Sequence, residues 1–358
     1  MSPRQVLLTS SISTRRRALL RWYDKGHRDL PWRRTRDPYR VWVSEIMCQQ
    51  TRVDTVIPYY ERFIASFPTP AALAEAEEDS VMSHWSGLGY YRRARMLHAG
   101  AKDVVARYGG SVPSGAEERL SLPGVGRYTA GAIGSIAFDR EEAIVDGNVA
   151  RVLSRVHRIP HALQSTASNK ALWVHAEALV RGKRPGDLNQ SMMELGALIC
   201  TPTSPKCDAC PIAKGCEALQ VGDVDSFPVP KKKKKPKKIR LVASVGTAKG
   251  KIWLQRGDKK LFGGLWGVPM LPIEEADEVP ARRAALAKSA LRQVGITGRA
   301  PKSIGEVEHV LSHRHMFVDV FQTKAARGEA SDGLRAVAHA EMESLGVATL
   351  TRKILALL

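Results

Sequence analysis

Apolar residues recur at helical intervals through the first two thirds of the chain. In WVSEIMCQQTRVDTVIPYYERFIASF they fall at 42, 43, 46, 47, 53, 56, 57, 60, 63, 64 and 67. Steps of three and four mark a buried helix face, and Pro58 is expected to break the run or open a new helix. EEDSVMSHWSGLGYYRRARMLHAGAKDVVARYGG predicts two helices around a Gly-Leu-Gly turn at 87–89. KALWVHAEALVRG and DLNQSMMELGALIC predict two more. Strand-like alternation is absent before about residue 238. Beyond it, IRLVASVGTA and KIWLQRG read as short strands, ARRAALAKSALRQVGI as a helix, and EVEHVLSH and HMFVDVFQT as strands.

The two patterns meet at FPVPKKKKKPKK, which holds three prolines and seven lysines. Such a stretch is an extended, charged linker. The predicted organisation is therefore multidomain: an all-α domain over 1–226, a basic linker over 227–238, and an α+β module over 239–358.

Charge narrows the partner. The chain of 358 residues carries a formal charge of +19. Residues 1–226 contribute +6, the lysine run +7 and residues 239–358 another +6. An excess spread this way favours a polyanion, and without an amphipathic membrane helix the better partner is nucleic acid. No apolar run is long enough for a membrane span, and the N-terminus lacks the pattern of a secretion signal. The expected location is the cytoplasm and nucleoid of a bacterium, or the nucleus or mitochondrion of a eukaryote.

Four of the five cysteines crowd into residues 200–216, spaced C-x6-C-x2-C-x5-C as Cys200, Cys207, Cys210 and Cys216. Four thiolates so close can wrap a tetrahedral zinc or a [4Fe–4S] cubane. Structural zinc more often uses two C-x2-C pairs, so the spacing favours the cluster. Cys48 stands apart and reads as a small apolar core residue.

LPGVGRYTAG at 122–131 places Gly124 and Gly126 in a tight turn before a helix. Unpaired N–H groups at such a helix start bind phosphate. No Gly-Lys-Ser/Thr follows and no strand precedes, so a nucleotide loop is excluded, and the turn is either a helix–hairpin–helix grip on a DNA backbone, the better fit to an anion, or a plain interhelical turn. Two carboxyls flank it. Glu45 lies among Trp42, Ile46 and Met47, where desolvation would raise its pKa and make it an acid near neutral pH. Asp146 sits in the polar turn AIVDGNV, where a helix N-terminus would keep it ionised.

Taken together, RDLPWR, SEIMCQQT, GLGYYRRAR, LPGVGRYTAG, VDGNV, the four cysteines, GGLWGVP and HVLSHRH resemble the helix–hairpin–helix DNA glycosylases with an iron–sulfur loop, and within them the MutY-type adenine DNA glycosylases. The resemblance spans nearly the whole chain. It implies an all-α catalytic domain with a [4Fe–4S] loop and a Nudix-like C-terminal domain. It also implies a monomer that flips out and hydrolyses adenine opposite 8-oxoguanine in duplex DNA. By resemblance, Glu45 would protonate the base, Asp146 would stabilise the sugar cation, and Tyr128 and Asn148 would hold that region. Arg28, Leu30, Trp32, Val53 and Gln190 would line the adenine pocket. Gln50 and Tyr90 would wedge into the stack, with Arg92, Arg93 and Arg95 near phosphates. Ser312 and His313 would read the oxidised guanine, with Leu311 in place of the family's phenylalanine. Cys48 stands where leucine is usual.

Three rival readings are weaker. A strand-cutting lyase of endonuclease III type needs a lysine at Tyr128 to form a Schiff base, and a phenol cannot. A non-catalytic cluster protein leaves Glu45 and Asp146 without a role. A Nudix hydrolase needs a glutamate-rich metal box, which ARRAALAKSALRQVGI lacks.

Overall fold

Helices do come first and strands last. The computed structural model describes residues 3–230, 236–257, 262–274, 279–311 and 314–358. Fourteen α-helices and seven strands are assigned among them. The helices before the linker are α1 (Pro3–Gly26), α2 (Pro38–Cys48), α3 (Val53–Ser66), α4 (Pro70–Glu75), α5 (Glu78–His84), α6 (Arg92–Tyr108), α7 (Ala116–Ser121), α8 (Arg127–Phe138), α9 (Gly147–Val156), α10 (Thr166–Val180), α11 (Pro185–Leu198) and α12 (Glu217–Val221). The chain then forms β1 (Lys237–Ala248), β2 (Lys251–Arg256), β3 (Trp266–Gly267), β4 (Met270–Pro272), α13 (Pro280–Gln293), β5 (Lys302–Leu311), β6 (Arg314–Lys324), β7 (Leu334–Ala338) and α14 (Thr349–Leu355). No described helix is long and apolar enough to cross a membrane.

Packing divides the chain into two units: Met1–Glu75 with Ala99–Lys232, and Ala76–His98 with Lys233–Leu358. The division falls inside α6, so α5 and the Gly-Leu-Gly turn group with the strands that follow the linker.

In the first unit, α2 begins at Asp37, whose carboxylate accepts the Arg40 N–H at 2.8 Å, with Pro38 pre-set for the first turn. Eight of its eleven residues, Tyr39 and Val41–Met47, are buried. Such a helix is core all round rather than amphipathic. Pro58 does not break α3. The interruption falls earlier, at Gln49–Arg52, where Gln50 takes a left-handed conformation (φ 56°), and the proline sits inside the helix. One missing N–H is tolerated because α3 packs Val56, Tyr60, Phe63 and Ile64 into the core.

In the second unit the strands form one mixed sheet in the order β3-β2-β1-β6-β5, with β4 beside β1 and β7 beside β2. The β1–β6 pair is parallel over eleven register positions. β1 is buried on both faces. Leu241, Ala243 and Val245 share a cluster with Leu350 and Ile354 of α14, while Val242 packs with Ala287 of α13. α13 carries no carboxylate, and its Arg283 pairs with Asp319 of β6 at 3.0 Å. β7 and α14 lack a clear alternation in sequence and were not expected.

Asp79 is one anchor of the segment 76–98. Asp79 of α5 accepts from Arg256 Nη2 at 2.8 Å and Trp266 Nε1 at 3.2 Å, with Arg335 Nη1 at 3.6 Å. Both arginines also lie over the Trp266 ring, each 5.0 Å from its centroid.

Candidate active site and cluster loop

A cavity of about 490 Å³ opens in the first unit. Ten of the residues expected at the site line it: Glu45, Asp146, Tyr128, Asn148, Arg28, Leu30, Trp32, Val53, Gln190 and Gln50. They come from α2, α3, α8, α9 and its Asp146 cap, α11, the segment before α2 and the turn after it. The volume is that of a pocket for one small ligand, and its wall is mixed, with polar groups such as Glu45, Asp146, Asn148 and Gln190 among apolar ones such as Leu30, Trp32, Val41 and Ile136.

Glu45 projects from the buried face of α2 and is 7% exposed. Its Oε2 accepts the Tyr128 hydroxyl proton from the first turn of α8. Burial raises the Glu45 carboxyl to about 7; the Tyr128 hydrogen bond opposes this, Asp146 adds to it and Arg33 opposes it. A carboxylic acid still protonated near neutrality can donate to a base. Burial also pushes the Tyr128 phenol up, so it stays a neutral donor, and its oxygen reaches Met193 Sδ at 3.4 Å.

Asp146 caps α9: its Oδ1 accepts from the Val149 N–H at 2.7 Å, and its Oδ2 from Asn148 Nδ2 at 3.3 Å. The helix start does not by itself keep Asp146 a ready anion. Burial raises its pKa, and the Val149 and Asn148 donors offset only part of that rise. What distinguishes the two carboxyls is their partners. Several donors face Asp146, and Glu45 receives its one hydroxyl from Tyr128. Asn148 is held in turn by Arg151 Nη2 at 2.8 Å. The α9–α11 crossing is close because residue 196 is glycine; a Cβ there would lie 2.6 Å from Asn148 Cβ.

Trp32 is fixed edge-to-face on Tyr60, 5.3 Å between centroids. Arg28 lines the cavity, but its backbone N–H, Nε and Nη2 all donate to Glu194. Its guanidinium therefore frames the pocket. Glu194, Met193 and Arg33 also line the wall and were not expected. The available signal was helical spacing, since Met193 and Glu194 stand three and four residues after Gln190, on one face of α11.

The other expected DNA contacts lie outside the cavity. Gly124 turns the hairpin with φ 78°, and Gly126 starts α8 with nothing within 4 Å of the Cβ it lacks. Tyr90, in the second unit, is exposed and left-handed (φ 50°). Two of the three arginines after it have other tasks. Arg93 donates to the Gly89 carbonyl at 3.1 Å and lies over Trp85, and Arg95 is half-buried against Gly263 and Gly264. Arg92 is exposed. Ser312 and His313 lie outside the described residues; Leu311 and Arg314, on either side, are register partners of β5 and β6.

The four thiols of the cysteine cluster are free and open onto one small pocket of about 30 Å³. Its wall is apolar, with Val152, Val156, Leu195, Ile199, Ile212 and Leu219 among its members. Arg155, 2% exposed, points Nη1 at Cys200 Sγ (3.3 Å) and at the Thr201 carbonyl (2.7 Å). One turn earlier, Arg151 donates to the Cys200 carbonyl at 2.7 Å. Among the described residues no three Cys, His, Asp or Glu side chains are set to hold a single metal ion. Four sulfurs around a common apolar pocket, with a guanidinium as donor to one of them, suit a larger cluster. Cys200, Cys207, Cys210 and Cys216 would hold it. Cys48 is not a core residue; it is half-buried and lines the cavity one turn from Glu45.

Residues 43–177 match the HhH-GPD superfamily base excision DNA repair protein, residues 200–216 the iron–sulfur binding domain of endonuclease III, and residues 242–357 the NUDIX domain. The adenine DNA glycosylase of Rattus norvegicus is 37% identical over 403 residues, covering 96% of this chain and 78% of the rat protein. That of Homo sapiens is 36% identical over 425 residues, covering 98% and 77%. This chain belongs to the adenine DNA glycosylases. The enzyme is an adenine-specific DNA N-glycosylase of base-excision repair, and its cofactor is a [4Fe–4S] cluster held by the 200–216 loop. Among solved structures, a thermostable thymine-DNA glycosylase aligns with this glycosylase at TM-score 0.53 and 32% identity, over 59% of this chain and 98% of that one. An endonuclease III–DNA covalent intermediate aligns at 0.50 and 22%, over 60% and 98%, a likeness of fold alone.

Proposed function

We propose that the substrate is duplex DNA with adenine opposite 8-oxoguanine, and that the enzyme, acting as a monomer, hydrolyses the N-glycosidic bond without cutting the strand. One observation carries the chemistry: a buried Glu45, protonated near neutral pH, shares a cavity with Asp146. The adenine is extruded into that cavity, which base chemistry inside a duplex requires. Glu45 gives its proton to adenine N7 as the glycosidic electron pair leaves with the base. The sugar becomes oxocarbenium-like, and Asp146 stabilises its positive charge. Water then adds to the sugar carbon and loses a proton, leaving an abasic site. This is the division of labour of a paired-carboxyl glycosidase.

Tyr128 supports a monofunctional enzyme, since a buried phenol forms no Schiff base. Open space over Gly126 supports a phosphate grip at the hairpin. Gln50 and Tyr90, both held left-handed, fit side chains committed to entering the stack. The C-terminal module supplies the reading of the opposite base, through Ser312 and His313 by resemblance.

The test is adenine release from duplexes with adenine opposite 8-oxoguanine, guanine or thymine, with and without alkali. Release is expected to be fastest opposite 8-oxoguanine, with the strand intact until alkali is added. Glu45→Gln and Asp146→Asn should each lose about a hundredfold or more. Equal rates opposite 8-oxoguanine and guanine would remove the lesion reading, strand cleavage without alkali the monofunctional one, and an active Glu45→Gln the acid.

A further inference from the structure

The reaction just described gives Glu194, a charged group of the cavity, no task. Glu194 is fully buried. Its carboxylate accepts from Arg28 N at 2.9 Å, Arg28 Nε at 2.9 Å, Arg28 Nη2 at 2.7 Å and Arg33 Nη2 at 2.8 Å. Two guanidinium groups thus meet on one anion. Burying an ionic triad is costly, and packed apolar residues often serve a core as well or better. Stability alone is a weak reason for it.

The reason lies in what else faces the cavity. Tyr128 from α8, Asp146 from the start of α9 and Arg33 from the turn before α2 act on Glu45, and Cys48 of its own helix lines the same cavity. α11 adds Met193 and Glu194, and Asp54 of α3 acts on Arg28. Arg33 favours the ionised form of Glu45, and Asp146 the protonated form. Left uncompensated, the Arg33 charge would pull Glu45 further towards its ionised form. Burial alone would raise Glu194, but the hydrogen bonds from Arg28 and Arg33 overcome it and bring the carboxyl down to about 2, so it stays an anion throughout the working range.

We propose that Glu194 is a positioning residue that binds Arg28 and Arg33 and shields the Glu45 carboxyl from the charge of Arg33. This rests on Glu45 being the acid. A glutamine at 194 would keep one acceptor oxygen, enough for the Arg28 N–H and Nε, and would lose the two bonds now made at Oε2, while Arg33 Nη1 would still hold the Arg28 carbonyl at 3.1 Å. The glutamine could not cancel the charge.

The experiment is the pH profile of single-turnover adenine release, from pH 5 to 9, for wild type, Glu194→Gln, Glu194→Asp and Glu45→Gln, each with its cluster absorbance and melting temperature. In Glu194→Gln the alkaline limb should move down by about one pH unit. Its rate at pH 8 should fall about tenfold while converging on wild type at low pH. Glu194→Asp keeps the charge and should keep the wild-type midpoint. If Glu194→Gln does not fold, Arg33→Gln gives the opposite reading, a midpoint moved up. A midpoint unmoved in Glu194→Gln or in Arg33→Gln, whether or not the rate drops evenly at every pH, would overturn the proposal. Should Glu45→Gln be inactive while the midpoint stays, the shield alone fails; should Glu45→Gln be active, the acid itself was misassigned.

Discussion

Glu45 shows how much a single residue's chemistry depends on its surroundings. Its pKa is raised from 4.5 to about 7, chiefly by burial. The folded enzyme therefore holds this proton more tightly than the unfolded chain does. That contribution to stability is complete below about pH 4.5 and is lost as pH rises through 7. Glu45→Gln should match wild type in urea unfolding at pH 4.5 and exceed it at pH 8 by roughly 2–3 kcal/mol. A variant no more stable at pH 8 would show that the acid carries no such burden. The apolar neighbours of Glu45 made its burial legible in sequence. Those of Glu194 did not, because its arginine partners stand 161 and 166 residues away. In sequence it reads as an ordinary helix glutamate.

Among elements, the hairpin between α7 and α8 is held from behind and open in front. Arg119 of α7, 0% exposed, donates to the Ala130 carbonyl at 3.1 Å and the Ser114 carbonyl at 2.5 Å, and pairs with Glu142. Gly126 at the front has no near neighbour, and its φ of −96° suits any residue. The two faces can be separated by mutation. Gly126→Ala should cost at most about 1 kcal/mol of stability yet weaken duplex binding, measured by fluorescence anisotropy. Arg119→Met should cost about 3 kcal/mol by removing the partner of the Glu142 carboxylate and of three carbonyls. If Gly126→Ala bound DNA like wild type, the hairpin would not be the grip. The glycine turn could be read from sequence; the brace could not, since ERLS looks like one more exposed helical turn.

At the scale of the molecule, composition and packing divide the chain differently. The lysine linker separates 1–226 from 239–358 in sequence, and the HhH-GPD match runs unbroken through 43–177. Packing nevertheless groups Ala76–His98 with the C-terminal strands. Tyr90 thus belongs to the unit that carries the module proposed to read the opposite base. Asp79 is one anchor, taking Arg256, Arg335 and the Trp266 indole together. Asp79→Asn should raise amide hydrogen exchange across 76–98 and leave α2 and α8 unchanged. A uniform rise in all helices would mean general destabilisation and no special anchor.

The sequence by itself determined whatever is written within a few residues: the spacing of four cysteines, the turn at Gly124, the cap at Asp146, and the helical and strand periods on either side of the lysine run. Each depends on local geometry, which neighbouring letters encode. Tertiary structure alone decided the rest. It placed Glu45 out of water beside Tyr128, tied Arg28 and Arg33 to Glu194, moved Cys48 from core to cavity wall, and set Arg93 and Arg95 to holding the protein. Desolvation and charge pairing act through space, and the groups they join here lie up to 166 residues apart along the chain.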